Sequence, residues 1–337
     1  MPVTGKKNVS AIIISTVMLS VFTVFYCTSI TGERGKIFQR LNQEDISDSK
    51  LAGLRVTMET ASASGVKIYR TDNYSCSHLL PFRLSDGTLA KICTYDPDVD
   101  YIAIRIKESQ AFEDNLVTDI MLALRSAEKK LLSTVQPSSK DDQQNVTLVD
   151  LGSNIGVFTL TAAMAGYEVL AVDAMRETLQ LMVTSLHLAG VTSRVTVLHN
   201  AVSDVRGVVQ IKVDRQNMGA SMVNQEKNTG QNDRGDDNVT AVFLSDLIPY
   251  VRSRHVVVKM DIEGFEERAL WSAGEFFEKI DVYSVLMEWS FHRGESGPPI
   301  IRFMSLRGML PYSDANKSQA LDPNFYSSWP GNVVFIR

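Results

Sequence analysis

Cysteine is scarce in this chain, with three in 337 residues. That is too few for a fold held by disulfides, and no Cys/His group has the short paired spacing of a structural zinc site. Positive charge is not in excess either. With 34 Lys and Arg against 39 Asp and Glu, the formal net charge is −5. No global basic field exists to hold a phosphate backbone, so nucleic acid is not an expected partner. Internal repeats are lacking. What is present is 44% hydrophobic and 22% charged residues, which excludes a mostly disordered chain and allows one sizeable core built by apolar packing.

Charge is missing altogether from Val9 to Ile30, VSAIIISTVMLSVFTVFYCTSI. At about 1.5 Å per residue, such a helix crosses the roughly 30 Å hydrocarbon layer. Residues 9–30 are therefore expected to be a transmembrane signal anchor between a cytoplasmic tail (1–8) and a polar stem (31–60). The alternative is a cleaved signal peptide, whose apolar core usually runs to about 7–15 residues. Lys6 and Lys7 before the run and Arg34, Lys36 and Arg40 after it leave the positive-inside count nearly balanced. A short tail followed by a large body is the layout of a body translocated into the lumen, which places the protein in the Golgi or endoplasmic reticulum. Asn73, Asn145, Asn238 and Asn316 each begin an N-x-S/T triplet, a glycosylation acceptor on the lumenal side or a chance occurrence. Cys76 and Cys93, the cysteines outside the apolar run, are expected to pair in an oxidising lumen; two separate buried thiols are the other reading.

Residues 61–145 read as an N-terminal extension of a hairpin plus a helix. Apolar and polar residues alternate on both sides of Asp86-Gly87, a turn signal, and this strand-like alternation continues to YIAIRI. Leu116, Ile120, Leu124 and Leu131 then follow near helical spacing until Pro137 breaks the pattern. From Val146 to the C-terminus short aliphatic runs, VTLVDL, EVLAV, RVTVLH, HVVVKM and VYSVLM, alternate with helical stretches. Such runs are strands buried on both faces, and the class is α/β with a mostly parallel sheet. The polar tract NQEKNTGQNDRGDDN is expected to be a surface excursion, and the final NVVFIR an edge strand.

VDLGSNIGVFTLTAAMAG carries the strongest chemical signal. A strand ends in Asp150 and turns through Gly152, Asn154 and Gly156 into a helix. Glycines there let the backbone turn sharply and approach a ligand, and amides at the helix start can receive its polar groups. The acid before the glycines would repel a pyrophosphate but suits an ammonium-like group, and the G-x-G-x-x-G dinucleotide fingerprint is not present. Further on, KMDIEGFE puts Asp261 and Glu263 just past a buried strand, and Glu288 ends the next one, so the three form a candidate catalytic cluster at the sheet edge where ligand crevices form. Converging carboxylates either raise one pKa for base work or bind a divalent cation. Lys259, inside the same aliphatic strand, needs a carboxylate partner. Glu266 and Glu267 read as the solvated first turn of a helix, and His292 as a surface histidine or a base.

Asp150-Leu151-Gly152-Ser153-Asn154-Ile155-Gly156 resembles the D-x-G-x-N-x-G motif of the FkbM family of class I S-adenosylmethionine-dependent methyltransferases. AVDAM, NAVSD and KMDIEGFE continue the likeness in order, over about residues 80 to 337. The resemblance implies a doubly wound Rossmann-like sheet and methyl transfer from S-adenosylmethionine, usually to an oxygen on a sugar or natural product. By position it puts Asp150 and Gly152 at the methionine end of the cofactor, with Asn154 and Gly156 also among the cofactor-binding residues. Asp173 then falls on the ribose hydroxyls, with an N-cap as its alternative role, and Asn200 and Ala201 on the adenine side. It also sets Glu113 of AFEDN near the cofactor. The expected activity is O-methylation of glycan hydroxyls. A non-catalytic methyltransferase-like scaffold and a nicotinamide oxidoreductase are the competing readings.

Overall fold

The computed structural model describes residues 64–134, 145–214, 217–223 and 236–337. The expected span 9–30 and the stem lie outside these residues. Among the described residues no helix is long and apolar enough to cross a membrane.

Asp86-Gly87 turns the chain as its chemistry requires. Gly87 adopts φ 86°, the Asp86 carboxylate accepts from the Thr88 amide, and β1 (His78–Arg83) pairs antiparallel with β2 (Leu89–Thr94). The next segment departs from the strand-like alternation of its sequence. Asp100 caps a helix, α1 (Tyr101–Ser109), its carboxylate accepting from the Ala103 amide at 2.9 Å. A capped first turn and a buried Ile102, Ala103 and Ile106 stripe decide for helix over strand. Helix α2 (Asp114–Thr134) buries Ile120, Leu124 and Leu131. The hairpin and both helices share one apolar core with the sheet that follows.

That sheet begins with β3 (Val146–Leu151), buried at every residue, then α3 (Val157–Met164), β4 (Glu168–Asp173), α4 (Arg176–Leu188) and β5 (Val195–His199). A small second sheet follows from β6 (Ala201–Val202), β7 (Gly207–Lys212), β8 (Met222–Val223) and β9 (Asp236–Val242), in the order β6-β9-β7-β8. The expected surface excursion is thus flanked by strands, and its residues 224–235 lie outside those described. The chain returns to the main sheet with β10 (His255–Met260), helices α5 (Glu266–Trp271) and α6 (Gly274–Lys279), β11 (Asp281–Glu288), α7 (Gly297–Ser305), β12 (Leu310–Tyr312) and β13 (Asn332–Ile336). The strand order is β12-β13-β11-β10-β3-β4-β5. β5 through β11 run parallel, and β13 enters antiparallel to both β11 and β12. NVVFIR is therefore not the edge strand expected from the sequence; β12, too short to announce itself by pattern, takes the edge. The order reverses between β3 and β10, and at such a switch the loops beyond the strand ends part to leave a crevice.

Candidate active site

The crevice is a cavity of about 260 Å3. On one side it is lined by Gly152, Ser153 and Asn154 of the β3–α3 turn, by Asp173 and by Asn200 and Ala201. On the other it is lined by Glu113, Lys259, Asp261, Glu263 and Glu288. The sequence-expected cofactor and catalytic groups therefore share one space, with two exceptions. Asp150 and Gly156 do not line it.

Asp150 is fully buried behind the turn. Its Oδ2 accepts from the Thr159 hydroxyl at 2.7 Å and its Oδ1 lies 3.8 Å from Lys259 Nζ. The contact with the methionine end expected for Asp150 is replaced by this internal pairing: a carboxylate at the end of a strand buried on both faces needs a cation more than it can meet a ligand. Burial raises its pKa, against the pull of Lys259 and Thr159. Gly156, at φ 91°, is needed for packing, since a Cβ there would come within 2.4 Å of Met182 Cγ. Gly152, at φ 75°, admits the β10 loop, and a Cβ there would sit 1.7 Å from the Asp261 carbonyl oxygen.

The turn also corrects the expectation of free amides. Gly152 and Ser153 donate to Val172 O, Asn154 to Asp173 Oδ2, Ile155 to Asn154 Oδ1 and Gly156 to Ser153 O. Every amide from Gly152 to Gly156 is thus bonded inside the protein, and the turn is no anion nest. Asp173 lines the cavity while its Oδ1 accepts from the Met175 amide and the Thr178 hydroxyl. It fixes the start of α4 and keeps lone pairs for a ligand. Burial raises its pKa, opposed by these hydrogen bonds. Asn200 is tied down on both ends of its amide: Nδ2 donates to Gly65 O and Thr240 O, and Oδ1 accepts from the Lys67 amide. Its side chain clamps three segments, and both Asn200 and Ala201 line the cavity.

Asp261, Glu263 and Glu288 do converge, each offering an oxygen within 4.8 Å of the others. These are the residues that could hold a hard cation. Glu263 sits at φ 55°, directly before Gly264 at φ 87°, a local backbone that swings its carboxylate toward the cluster. Burial, then Asp261 and Glu266, push its pKa up to about 7. Burial and Asp261 push Glu288 up to about 9. Glu113, also at φ 53°, is pushed up to about 7 by burial, with Lys259 pulling the other way. Lys259 is 3% exposed. It donates to Gly152 O at 2.7 Å, and its Nζ lies 3.4 Å from Asp261 Oδ2, so it has the carboxylate partners its burial requires. Burial works to lower its pKa, but Asp261, Asp150 and Glu113 outweigh that and hold it raised.

Residues 150–311 match the family model for the methyltransferase FkbM domain. The chain carries an FkbM methyltransferase domain. The match supports S-adenosylmethionine-dependent methyl transfer. No curated protein sequence matches the chain. Among solved structures, the likenesses are distant. An rRNA methylase from Streptococcus thermophilus is 12% identical, covering 63% of this chain and 94% of its own, with a TM-score of 0.32. The magnesium protoporphyrin IX methyltransferase of Synechocystis PCC 6803, solved with bound S-adenosylmethionine, is 10% identical, with 72% and 86% covered and a TM-score of 0.34. A tRNA (uracil-54, C5)-methyltransferase of Pyrococcus abyssi, solved with S-adenosylhomocysteine, is 11% identical, with 77% and 42% covered and a TM-score of 0.32.

Within the FkbM domain two residues change role. Glu266 is not on a solvated turn; it is 0% exposed, and His292, 1% exposed, is not on the surface. Their side chains meet, Glu266 Oε2 to His292 Nε2, at 2.8 Å. Neither lines the cavity. The sequence signal for this pair is weak because the partners lie 26 positions apart, one at the start of α5 and the other in the loop after β11. Outside the domain, Cys76 and Cys93 are joined in a disulfide, with Cα atoms 5.6 Å apart.

Proposed function

We propose that this chain is an S-adenosylmethionine-dependent O-methyltransferase of the secretory pathway, held in the membrane by residues 9–30 with its body in the lumen, and that it methylates glycan hydroxyls. The observation that carries the reading is the single cavity joining the β3–α3 turn and Asp173 to Asp261, Glu263 and Glu288. The residues fit the donor. Asp173 would hold the ribose hydroxyls, and a wall with more acids than its one buried lysine suits a positive sulfonium. The fully bonded turn amides suit a ligand with no pyrophosphate. When bound, S-adenosylmethionine supplies an electrophilic methyl group.

The protein's own part is to place a hydroxyl and take its proton. Glu263, near 7, matches the strength wanted of a base at neutral pH. Glu288, near 9, keeps its proton at that pH and shares it with Asp261. A divalent cation held by the same three carboxylates is the other way to settle their repulsion. At the cavity mouth Tyr101 is 52% exposed and meets Phe112 edge to face, centroids 6.4 Å apart. With Glu113 and Asn332 also in the lining, an apolar face stands beside several hydrogen-bond acceptors. That combination suits a ring bearing many hydroxyls. Lumenal placement is supported by the uncharged run, the disulfide, and the exposure of Asn73, Asn145, Asn238 and Asn316.

The test is transfer of a labelled methyl group from S-adenosylmethionine by the full chain onto glycans and free sugars, with and without chelator, alongside equilibrium binding of the donor. Label on a sugar, lost in Glu263→Gln while donor binding persists, is the expected result. Donor binding with no labelled sugar would remove the glycan assignment; no donor binding would leave a scaffold. Chelator sensitivity decides for the cation.

A further inference from the structure

The buried Glu266–His292 pair has no contact with the cavity, yet it touches both loops that carry the acidic cluster. Asp261 and Glu263 stand on the loop after β10; Glu288 ends β11, whose following loop carries His292. The β10 loop is held at three points. Asp261 N donates to Leu151 O at 3.1 Å, Ile262 N donates to Glu266 Oε1 at 2.8 Å, and Gly264 lies under the Phe291 ring, where a Cβ would come within 3.3 Å of it. Between the second and third points the backbone takes two left-handed residues in succession, Glu263 and Gly264. A non-glycine residue there is strained, so something must over-determine the conformation.

Glu266 supplies that hold, and it does so from a fixed position. Its other oxygen is 2.8 Å from His292 Nε2. With Nε2–H donating to that oxygen, Nδ1 is left to accept from the Ser296 hydroxyl, also at 2.8 Å. Ser296 directly precedes α7, and Gly297 closes on the His292 carbonyl so tightly that a Cβ would come within 2.4 Å. A continuous chain of short hydrogen bonds therefore runs from α7 through His292 and Glu266 to the Ile262 amide. It braces the two loops against each other without entering the cavity.

We infer that Glu266 and His292 are positioning residues: the strut they form fixes the backbone of residues 261–264, and with it the convergence of Asp261 and Glu263 on Glu288. The inference rests on the methyltransferase reading for its effect on turnover, but not for its effect on the loop. Displacement of a reacting group by about 1 Å can cost about a hundredfold in rate. The donor side, Gly152 to Asn154 and Asp173, has its own hydrogen bonds and is left alone.

The experiment compares the full chain with Glu266→Ala and Glu266→Gln. Three quantities are read: amide hydrogen exchange in peptides covering 261–265 and 152–156, the Kd for S-adenosylmethionine, and kcat and KM on the sugar labelled best by the unaltered chain. In Glu266→Ala, exchange at 261–265 should rise about tenfold or more with no change at 152–156. Turnover should fall about ten- to hundredfold, with donor Kd within about threefold. Glu266→Gln, which keeps an oxygen for the Ile262 amide and offers an N–H to His292 Nε2 once the ring takes its other tautomer and donates from Nδ1 to Ser296 Oγ, should restore both exchange and kcat to within about fivefold. Unchanged exchange in Glu266→Ala overturns the inference. So does parallel loss of donor binding and turnover, which would mark a general structural role, or a Gln variant as impaired as Ala. Should Glu266→Ala not fold, Ser296→Ala, which frees only the far end of His292, is expected to raise 261–265 exchange about threefold; no rise there is equally fatal. If no sugar is labelled by any form, the function reading fails while the exchange result still decides the strut.

Discussion

A methyl group on residue 152 would lie 1.7 Å from the Asp261 carbonyl oxygen, and the obstacle is backbone, not a side chain that can swing away. Residue 156 is different, because its obstacle is the flexible Met182 side chain at 2.4 Å. Gly152→Ala should therefore abolish folding or donor binding. Gly156→Ala should cost less and be partly recovered by Met182→Ala, which removes the 2.4 Å clash and leaves a tight 3.2 Å contact with the remaining Cβ and the strain of φ 91°. Thermal melts of the four proteins check this; equal damage at both positions would contradict it. The acidic cluster makes a second prediction. Glu288 holds its proton up to about 9 in the folded protein against an ordinary value of 4.5, and Glu113 and Glu263 hold theirs up to about 7. Between those limits the folded state binds protons the unfolded chain has released. Stability is thus fully present below about 4.5 and is lost as pH rises through about 7 and then about 9. Tm should fall across that range, and Glu288→Gln should flatten its upper part and raise Tm near pH 9. A Tm profile unchanged by the substitution would mean that Glu288 does not carry this proton.

At the scale of elements, Asp100 does two tasks with one carboxylate. Oδ1 caps α1 through the Ala103 amide, and Oδ2 accepts from the Met218 amide at 3.3 Å. Met218 and Gly219 line the cavity next to Ile102 of α1. Asp100→Ala should destabilise by about 1 kcal/mol for the cap alone, and should also weaken donor binding, whereas Asp100→Asn should retain most of the cap. An Ala variant with wild-type Kd would show that the tie to Met218 is idle. This helix also shows where sequence reading falls short. Ile102, Ile104 and Ile106 alternate in YIAIRI just as a strand would, and only the cap at Asp100 separates the two outcomes. β3, β4, β5, β10 and β11 were legible because strands buried on both faces are written as unbroken aliphatic runs. β12 is three residues long and β13 was legible as a strand but not in its place, since nothing in NVVFIR tells an edge from an inserted position. The cluster Asp261, Glu263 and Glu288 was legible because each residue ends or follows such a run, and strand ends meet at the switch point. The burial of Glu266 was not, because an acid in the first turn of a helix is usually solvated, and its reason for being inside is His292, which lies beyond any local pattern.

For the whole molecule, three features of unrelated origin are the ones that the proposed lumenal placement calls for. Residues 9–30 carry no charge, the four candidate acceptor asparagines are exposed, and Cys76 is bonded to Cys93. A reducing compartment would break the last agreement, since glutathione keeps cytosolic thiols reduced. The bond spans 17 positions, and closing a loop of that size in the unfolded chain is worth about 3 kcal/mol in the chain-entropy account. It fastens the segment before β1 to the end of β2, and Cys93 N in turn donates to Ser185 Oγ of α4 at 2.8 Å. The bond thus steadies a hairpin that packs on the same core as β3 and α3. If the body is lumenal, alkylation of the denatured full chain from secretory cells, without reductant, should label Cys27 alone, and glycosidase should shift its mass. Cys93→Ser should then free Cys76 for labelling and lower stability by about 3 kcal/mol. Three labelled cysteines in the unaltered protein, with no glycosidase shift, would place the body on the other side of the membrane and leave the methyl-transfer site intact but its acceptor to be sought among cytosolic hydroxyl compounds.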